Sequence, residues 1–177
     1  MAKYYSGIGS RETPEDICKF MTRLAKKLAG EGWTMRSGAA DGADTAFETG
    51  SNDVNENLTE LYLPSPNYKG RTKAVLTEPS EEAYKIAEEF HPNWGACKPF
   101  VRKLLARDSH QVLGADLKTP SKFVVCWTPN ASASGGTGQA IRIATRHNIP
   151  VYDLGDLEIL ARLTAWVFTG KKIDSLS

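Results

Sequence analysis

The spacing of apolar residues along the chain predicts helices and strands in alternation. Apolar side chains recur every three or four positions over 17–28, which is typical of a helix with one buried face. Thr13 and Pro14 stand where a helix N-cap and first helical residue are expected, and Gly30 marks the end of this helix. The continuous apolar run at 122–127 is typical of a strand in the middle of a parallel sheet.

Shorter patterns complete the series of elements. Further strands are predicted at 3–8, 33–36, 59–63 and 149–154. Further helices are predicted at 80–90, 98–113, 137–147 and 156–168, and a short one follows the turn that begins at residue 37. Residues 51–57 and 64–79 show no clear period, so we interpret 51–100 as a variable insert or lid. Five strands alternating with helices predict one α/β domain over residues 1–177, with an open, mostly parallel sheet and helices on both faces.

Three of the predicted strands end in glycine-rich loops. The loops are Gly7 to Arg11, Ser37 to Asp44, and Ser134 to Gln139, the last of which opens a helix. Because the carboxyl ends of parallel strands share one edge of a sheet, where ligands bind, we expect these loops to lie together. Glycine lets backbone approach a ligand, and a helix N-terminus offers free N–H donors to a phosphate. Tight turns alone also use glycine, so both interpretations stand for any one loop.

The same loops exclude several common sites. No Gly-Lys-Ser/Thr sequence is present, so the chain has no P-loop, and GIGSRE at 7–12 lacks the third glycine of a dinucleotide fingerprint. A conventional NAD-dependent dehydrogenase is therefore disfavoured. The sequence has no GxSxG motif, and its histidines show no zinc-ligand spacing. We therefore expect no metal and no bound cofactor.

Charged and aromatic residues near the loops suggest what they bind. Two arginines are candidates to neutralise a phosphate, and four carboxylates are candidates to bind a ribose or to activate water. They are Arg11 and Arg107, and Asp41, Asp44, Glu48 and Asp108. Capping of a helix explains Asp44 equally well. Trp127 either stacks on a base or packs in the core. The basic residues at 69, 71 and 73 form either a phosphate-binding lid or a solvated loop.

Composition narrows the class of partner and the compartment. The 22 Lys and Arg residues nearly balance 21 Asp and Glu, and a net charge of +1 gives no overall field for a polyanion. No apolar run approaches the length of a membrane span, and the first residues have no signal-peptide core. Cys18, Cys97 and Cys126 form no CxxC pair. These features predict a cytoplasmic protein that does not contact membranes.

Three segments in order resemble the SLOG superfamily of Rossmann-like domains. They are GSR after the first strand, SGAADGADTAFE after the second, and WTPNASASGGTGQAIRIATRHNIPVYDL near the end. That superfamily includes LOG phosphoribohydrolases, DprA proteins and YspA-like proteins, and the resemblance is strongest to the YspA-like branch, which phages often carry. It covers most of the chain outside about 51–100. The resemblance implies a nucleotide site in these loops, a homo-oligomer and, as an expectation, a phage origin.

Departures from the family patterns bear on activity. LOG hydrolases carry PGGxGTxxE, whereas this chain has SGGTGQAIR, with Arg142 in the place of the glutamate. YspA-like proteins usually have Arg-Asn where this chain has Arg107-Asp108. DprA proteins share a loop resembling 37–44, but they bind single-stranded DNA through a basic surface. A glycosidase would therefore need Asp44, Glu48 or Asp108 to substitute for that glutamate.

These observations lead to one preferred hypothesis and two alternatives. The preferred one is binding of a small nucleotide-derived ligand, such as an ADP-ribose-like or cyclic nucleotide signal, by a sensor or sequestering protein. The alternatives are hydrolysis of an N-glycosidic bond, with Asp44 and Asp108 as catalytic residues, and a DprA-like role on single-stranded DNA. The predicted ligand-binding residues are Gly7, Gly9, Ser10, Arg11, Ser37, Gly38, Ala39, Asp41, Gly42, Asp44, Arg107, Trp127, Thr128, Ser134, Gly135, Gly136, Thr137, Gly138 and Gln139.

Overall fold

A computed structural model of the chain, which describes residues 1–170, contains five strands and six α-helices within that range. The strands are β1 (Lys3–Gly7), β2 (Trp33–Ser37), β3 (Thr59–Leu61), β4 (Val124–Cys126) and β5 (Val151–Asp153). The helices are α1 (Glu15–Gly30), α2 (Ala43–Val54), α3 (Glu81–Phe90), α4 (Pro99–Leu113), α5 (Gly135–Arg146) and α6 (Leu157–Thr169). No helix among these residues is long and apolar enough to cross a membrane.

The sheet is parallel throughout and has the order β3-β2-β1-β4-β5. From β1 the chain moves outward through β2 to β3, and then crosses back to place β4 on the other side of β1. The order therefore reverses between β1 and β4, which is the point where Rossmann-like sheets bind ligands at the strands' carboxyl ends. The predicted five-stranded α/β fold is confirmed.

Helices cover both faces of the sheet. One apolar cluster joins α1, α2 and α6 to the sheet, and a second joins α4 and α5 to the other face. The 17–28 periodicity is confirmed, because its apolar positions are buried in the first cluster; they are Ile17, Phe20, Met21, Leu24, Ala25 and Leu28. The long crossover from β3 to β4 carries α3 and α4 beneath the central strands. This crossover brings α4 to the carboxyl edge of β2.

Several predicted boundaries were wrong. Thr13 does not cap α1, because its hydroxyl donates to the carbonyl oxygen of Ser10 at 2.6 Å and Pro14 occupies the N-cap position. The predicted loop at 51–57 is helical as far as Val54. The strand predicted at 122–127 shortens to Val124–Cys126, and β1, β3 and β5 are also shorter than predicted, whereas β2 extends one residue further, to Ser37. Apolar runs extend beyond the residues that hydrogen-bond in the ladder, because flanking residues are buried as well.

Candidate functional site

The loops after β1 and β4 touch at the reversal point of the sheet. A Cβ added to Gly9 would lie 2.6 Å from the Cβ of Ala43 and 3.4 Å from the backbone nitrogen of Trp127. The first turn of α2 and the end of β4 therefore press on Gly9 from two sides. The loop after β1, the start of α2 and the end of β4 thus meet at one place.

Several glycines of these loops have packing reasons that need no ligand. A Cβ at Gly7 would lie 2.5 Å from the Phe47 ring, and one at Gly38 would lie 2.5 Å from the Gln111 side chain. Gly42 has φ +83°, a conformation that glycine adopts at little cost, and a Cβ at this position would lie 2.9 Å from the carbonyl oxygen of Ser10. Ala39, at φ 61°, adopts a similar conformation without being glycine. The tight-turn interpretation therefore accounts for this part of the glycine pattern.

The N-terminus of α5 is different, because it is open. Nothing lies within 4 Å of a Cβ built at Gly135 or Gly136, and both residues are exposed. Ser134 makes no side-chain hydrogen bond to the helix, and no acidic residue lies in its first turn. The first N–H groups of a helix have no partner within the helix, and their dipoles favour an anion. This helix end offers a place for a phosphate that no described side chain occupies.

Helix α4 contributes a buried charged group on the other side of the site. Arg107 and Asp108 are 7% and 6% exposed, and Asp44 on α2 is 3% exposed. Nη1 of Arg107 donates to the carbonyl oxygen of Gly38 at 3.0 Å, and its Nη2 lies 3.7 Å from Oδ1 of Asp108. The Nε atom of Arg107 is buried without a hydrogen-bond partner. One buried guanidinium is therefore paired only in part.

Burial changes the titration of both carboxyls. Desolvation raises the pKa of Asp44 to about 6, although Arg107 and the backbone N–H groups of Ala40, Gly38 and Gly9 act in the opposite direction. Desolvation also raises the pKa of Asp108 to about 7, with the Asp44 charge adding to the increase and Arg107 opposing it. The carboxyls therefore change charge close to neutral pH.

Arg142 stands at the position where LOG hydrolases have a glutamate. Its Nε atom donates to the Phe90 carbonyl oxygen at 2.9 Å.

Gln111 belongs to this cluster and was missed by the sequence analysis. In the amide orientation that satisfies both neighbours, its nitrogen donates to Oδ1 of Asp108 at 2.7 Å and its oxygen accepts from the N–H of Gly38 at 2.7 Å. Gln111 is 1% exposed. Its position one helical turn after Arg107 was the available signal, since residues four apart share a helix face.

Two further predicted residues lie on the rim of the site. Arg11 is exposed and forms no ion pair within residues 1–170, so its charge is available to a ligand. Asp41 is exposed and accepts from Nζ of Lys69 at 2.8 Å, which lowers its pKa. The Ser10 hydroxyl oxygen accepts from the N–H of Glu12 at 3.0 Å. The rim therefore carries one available positive charge.

Three predicted residues have side chains committed elsewhere. The Thr128 hydroxyl donates to Asp153 and accepts from the N–H of Ala133 at 3.1 Å, which fixes the loop before α5. Gln139 donates to the Ala87 carbonyl oxygen at 2.9 Å, away from the strand ends. Trp127 is half-buried against the α1–α2–α6 cluster. Any contact of Thr128 or Gln139 with a ligand would have to replace these bonds.

Basic residues of the 64–79 excursion all face carboxylates. Each of the three forms an ion pair within 4 Å: Lys69 with Asp41, Arg71 with Glu48, and Lys73 with Glu56. Their charges are therefore compensated by carboxylates of the protein.

Both ring nitrogens of His110 have partners within the protein: Nδ1 donates to the Gly114 carbonyl oxygen at 3.0 Å, and Nε2 accepts from the N–H of Ser80 at 3.2 Å. Within residues 1–170 no cluster of three or more metal-ligating side chains occurs.

A groove of about 590 Å³ runs beside β3 rather than at the reversal point. Its walls are parts of α2 and β3 and the segment 70–75, and its lining is largely polar, with Glu48, Glu56 and Glu60 among the lining residues. Glu48, Arg71 and Lys73, which the sequence analysis considered, lie in this lining, where Arg71 pairs with Glu48 and Lys73 with Glu56, but the glycine-rich loops and Arg107 do not. The groove is therefore separate from the candidate site.

Comparisons with known proteins identify relatives in structure only. No protein-family model and no curated protein matches the chain. DNA processing protein A from Helicobacter pylori, a single-stranded DNA-binding protein, matches with a TM-score of 0.58 and 18% identity over 94% of this chain and 79% of that chain. The molybdenum cofactor carrier protein from Chlamydomonas reinhardtii matches with a TM-score of 0.53 and 17% identity, over 93% and 84%. At such identities the likeness shows a shared Rossmann-like fold.

Proposed function

We propose that the protein binds a small, phosphate-bearing nucleotide derivative at the carboxyl ends of β1, β2 and β4, as a sensor or sequestering protein of the SLOG type. The observation that carries this proposal is the open N-terminus of α5 at Gly135 and Gly136, on the strand edge that also bears Arg11. Backbone N–H groups and an arginine on the same strand edge suit a phosphate. Membership of the YspA-like branch, phage origin, a cytoplasmic location and homo-oligomer assembly are further proposals on sequence grounds.

The proteins of similar fold support more than one ligand class. One binds single-stranded DNA and another carries the molybdenum cofactor, so this architecture serves polymeric and small ligands alike. A small ligand fits the present chain better, because the basic residues at 69, 71 and 73 are already paired with carboxylates. A DNA-binding surface would need several phosphate-contacting cations that remain free.

Titration calorimetry with adenosine, AMP, ADP-ribose and a 12-nucleotide single strand tests the proposal directly. We expect AMP or ADP-ribose to bind and adenosine, which lacks phosphate, to bind at least tenfold more weakly. Binding of the oligonucleotide alone, with an affinity that falls steeply with salt, would replace the proposal by the DNA-binding alternative. Equal affinity for adenosine and AMP would contradict a phosphate site.

The Arg11→Ala variant is expected to bind AMP about tenfold more weakly, which corresponds to about 1.4 kcal/mol, with an unchanged melting temperature. The reason is that Arg11 is exposed and holds no ion pair in the protein. Lys26→Ala removes an equally exposed cation near the far end of α1 and serves as the control. Equal losses in both variants would indicate a general charge effect and contradict a local role for Arg11.

The Gly136→Ala variant is expected to lose at least tenfold in AMP affinity while keeping its stability. A methyl group at this position meets no protein atom within 4 Å, and alanine favours the helix over glycine by about 0.5–1 kcal/mol. The methyl group would instead enter the space through which a phosphate approaches the N–H groups. Gly30→Ala, which also has open space around it but lies at the end of α1, is the matched control. Unchanged affinity in Gly136→Ala would move the phosphate away from this helix.

A second candidate function is hydrolysis of the N-glycosidic bond. The favouring observation is that the pKa of Asp108 is raised to about 7, where a carboxyl can donate or accept a proton at neutral pH. Chromatography of each bound nucleotide after incubation distinguishes the two candidates. Release of free base by the wild-type protein, abolished in Asp108→Asn, would establish the hydrolase, whereas intact ligand supports the binding protein.

A further inference from the structure

We propose that residues 67–71, here called the strap, cover the guanidinium of Arg107 and must move aside before an anionic group of the ligand can reach it. The anionic ligand rests on the proposed function, but the cover itself does not. The inference concerns access to a subsite beside the loop after β2, where Arg107 bonds Gly38. It predicts two arrangements of the strap, one closed as in this structure and one open.

Arg107 has the features of an anion-binding group. Its side chain is 9% exposed, although a guanidinium carries five N–H donors. Only the contact of Nη1 with the Gly38 carbonyl oxygen, at 3.0 Å, is a short hydrogen bond, and Nε has no partner. A buried cation with unpaired donors is costly, so an incoming phosphate or carboxylate would bind it favourably.

The Tyr68 ring occupies the space over this guanidinium. The Cζ atom of Arg107 lies 5.8 Å from the ring centroid, near the outer limit of a cation–π contact. Tyr68 also lies 6.4 Å from the ring of Phe100, which is 48% exposed. The cover is therefore a single aromatic ring backed by an exposed one, and such a contact is weaker than a charged partner.

The closed strap is held by ion pairs and not by a secondary-structure ladder. Arg71 bonds Glu48 twice, Nε to Oε1 at 3.2 Å and Nη2 to Oε2 at 2.8 Å. Lys69 bonds Asp41 at 2.8 Å, but these two side chains are 39% and 66% exposed, so this pair contributes little. The two-bond pair with Glu48 is therefore the main attachment to α2.

The backbone of the strap is held in an unfavourable conformation when closed. Asn67, Lys69 and Gly70 have φ values of 59°, 50° and 74°, in the left-handed region. Residues other than glycine adopt this conformation at a cost in free energy, which is smallest for asparagine. Loss of the Glu48 pair would release that strain. A segment held shut by one strong attachment against its own backbone preference is suited to open and close.

The test uses Glu48→Gln and needs no ligand. Trypsin cleaves after Lys69 and Arg71 when the strap opens, and phenylglyoxal followed by mass spectrometry measures how accessible Arg107 is. We expect both rates to rise about tenfold in Glu48→Gln. Glu88→Gln removes an exposed carboxylate of α3 that makes no ion pair within the described chain, and both rates should stay at the wild-type value.

A second variant separates the ring from the attachment. In Tyr68→Ala the Arg71–Glu48 pair remains, so labelling of Arg107 should rise without faster tryptic cleavage of the strap. Faster cleavage in Glu48→Gln without faster labelling of Arg107, or unchanged labelling in Tyr68→Ala, would overturn the proposal. With AMP present, protection of Arg107 together with faster cleavage of the strap is the expected result. Failure of AMP to bind would count against the proposed function and leave the results for the cover unaffected.

Discussion

Raising the pH from 5 to 8 is expected to stabilise the Asp108→Asn variant relative to the wild-type protein by about 2.5 kcal/mol. Desolvation raises the pKa of Asp108 to about 7, well above that of an aspartate in the unfolded chain. Between these two values the folded wild-type protein binds a proton that the unfolded chain has released. Its stability therefore falls as pH rises, by about 1.4 kcal/mol per pH unit, until the folded group ionises near pH 7. Asparagine has no charge to bury, so the variant lacks this loss.

Urea unfolding of both proteins at several pH values measures the effect as a difference. The difference matters because burial lowers the pKa of His110, which makes stability rise over part of the same range, and this contribution cancels between the two proteins. Asp116→Asn is the control, since hydrogen bonds from Lys118 and Thr119 lower the pKa of Asp116 below its usual value, and this carboxylate stays ionised from pH 5 to pH 8. Its difference from the wild type should be flat from pH 5 to pH 8. A flat difference for Asp108→Asn as well would show that Asp108 does not titrate in this range.

The Gly138→Ala variant is expected to lose about 3 kcal/mol of stability, or roughly 6–12 °C in melting temperature. A Cβ at this position would overlap the carbonyl oxygen of Ala133. That carbonyl cannot move freely, because the N–H of Ala133 donates to the Thr128 hydroxyl and the residue already has φ 53°. Relief of the overlap requires a shift of α5 or of the loop before it.

Gly136→Ala, two residues earlier in the same helix, is the internal control for this prediction. It has open space where Gly138 has backbone, so its melting temperature should stay the same or rise. Differential scanning calorimetry compares the two variants. Equal melting temperatures for both would show that the loop before α5 yields easily, and would contradict the close packing described for Gly138.

Together these variants separate two uses of glycine in one loop. Gly138 is required because backbone passes too close for a side chain, whereas Gly136 leaves the helix end open to a ligand. The sequence SGGTG does not distinguish them. The tight-packing interpretation of the glycine-rich loops therefore applies to Gly138, whereas ligand approach at Gly136 stays a prediction.

Local patterns were sufficient to predict the fold. Periodic apolar residues at 17–28 predicted α1 and its buried face, and alternation of strands with helices predicted a parallel sheet. The glycine-rich loops were expected on one edge for the same reason, since parallel strands all end there. These features depend on residues close together in the chain, or on connectivity alone. Thr13 was misassigned because its hydroxyl bonds Ser10 instead of the helix.

The pairing of distant residues was decided by the tertiary structure. The crossover from β3 to β4 determines which side chains of α4 reach the loop after β2. The contacts of Arg107 and Gln111 with Gly38 therefore cannot be inferred from the hydrophobic pattern of the sequence. Likewise, the sequence alone shows Lys69 and Arg71 as an unpaired basic run; in the fold, the loop after β2 supplies Asp41 as the partner of Lys69, and α2 supplies Glu48 as the partner of Arg71. The sequence by itself determined the element order, the parallel sheet and the edge where the loops gather. Only the tertiary structure decided which charged side chains form ion pairs within the protein and which, like Arg11, do not. The reason is that electrostatic pairing depends on distance in space and not on separation along the chain.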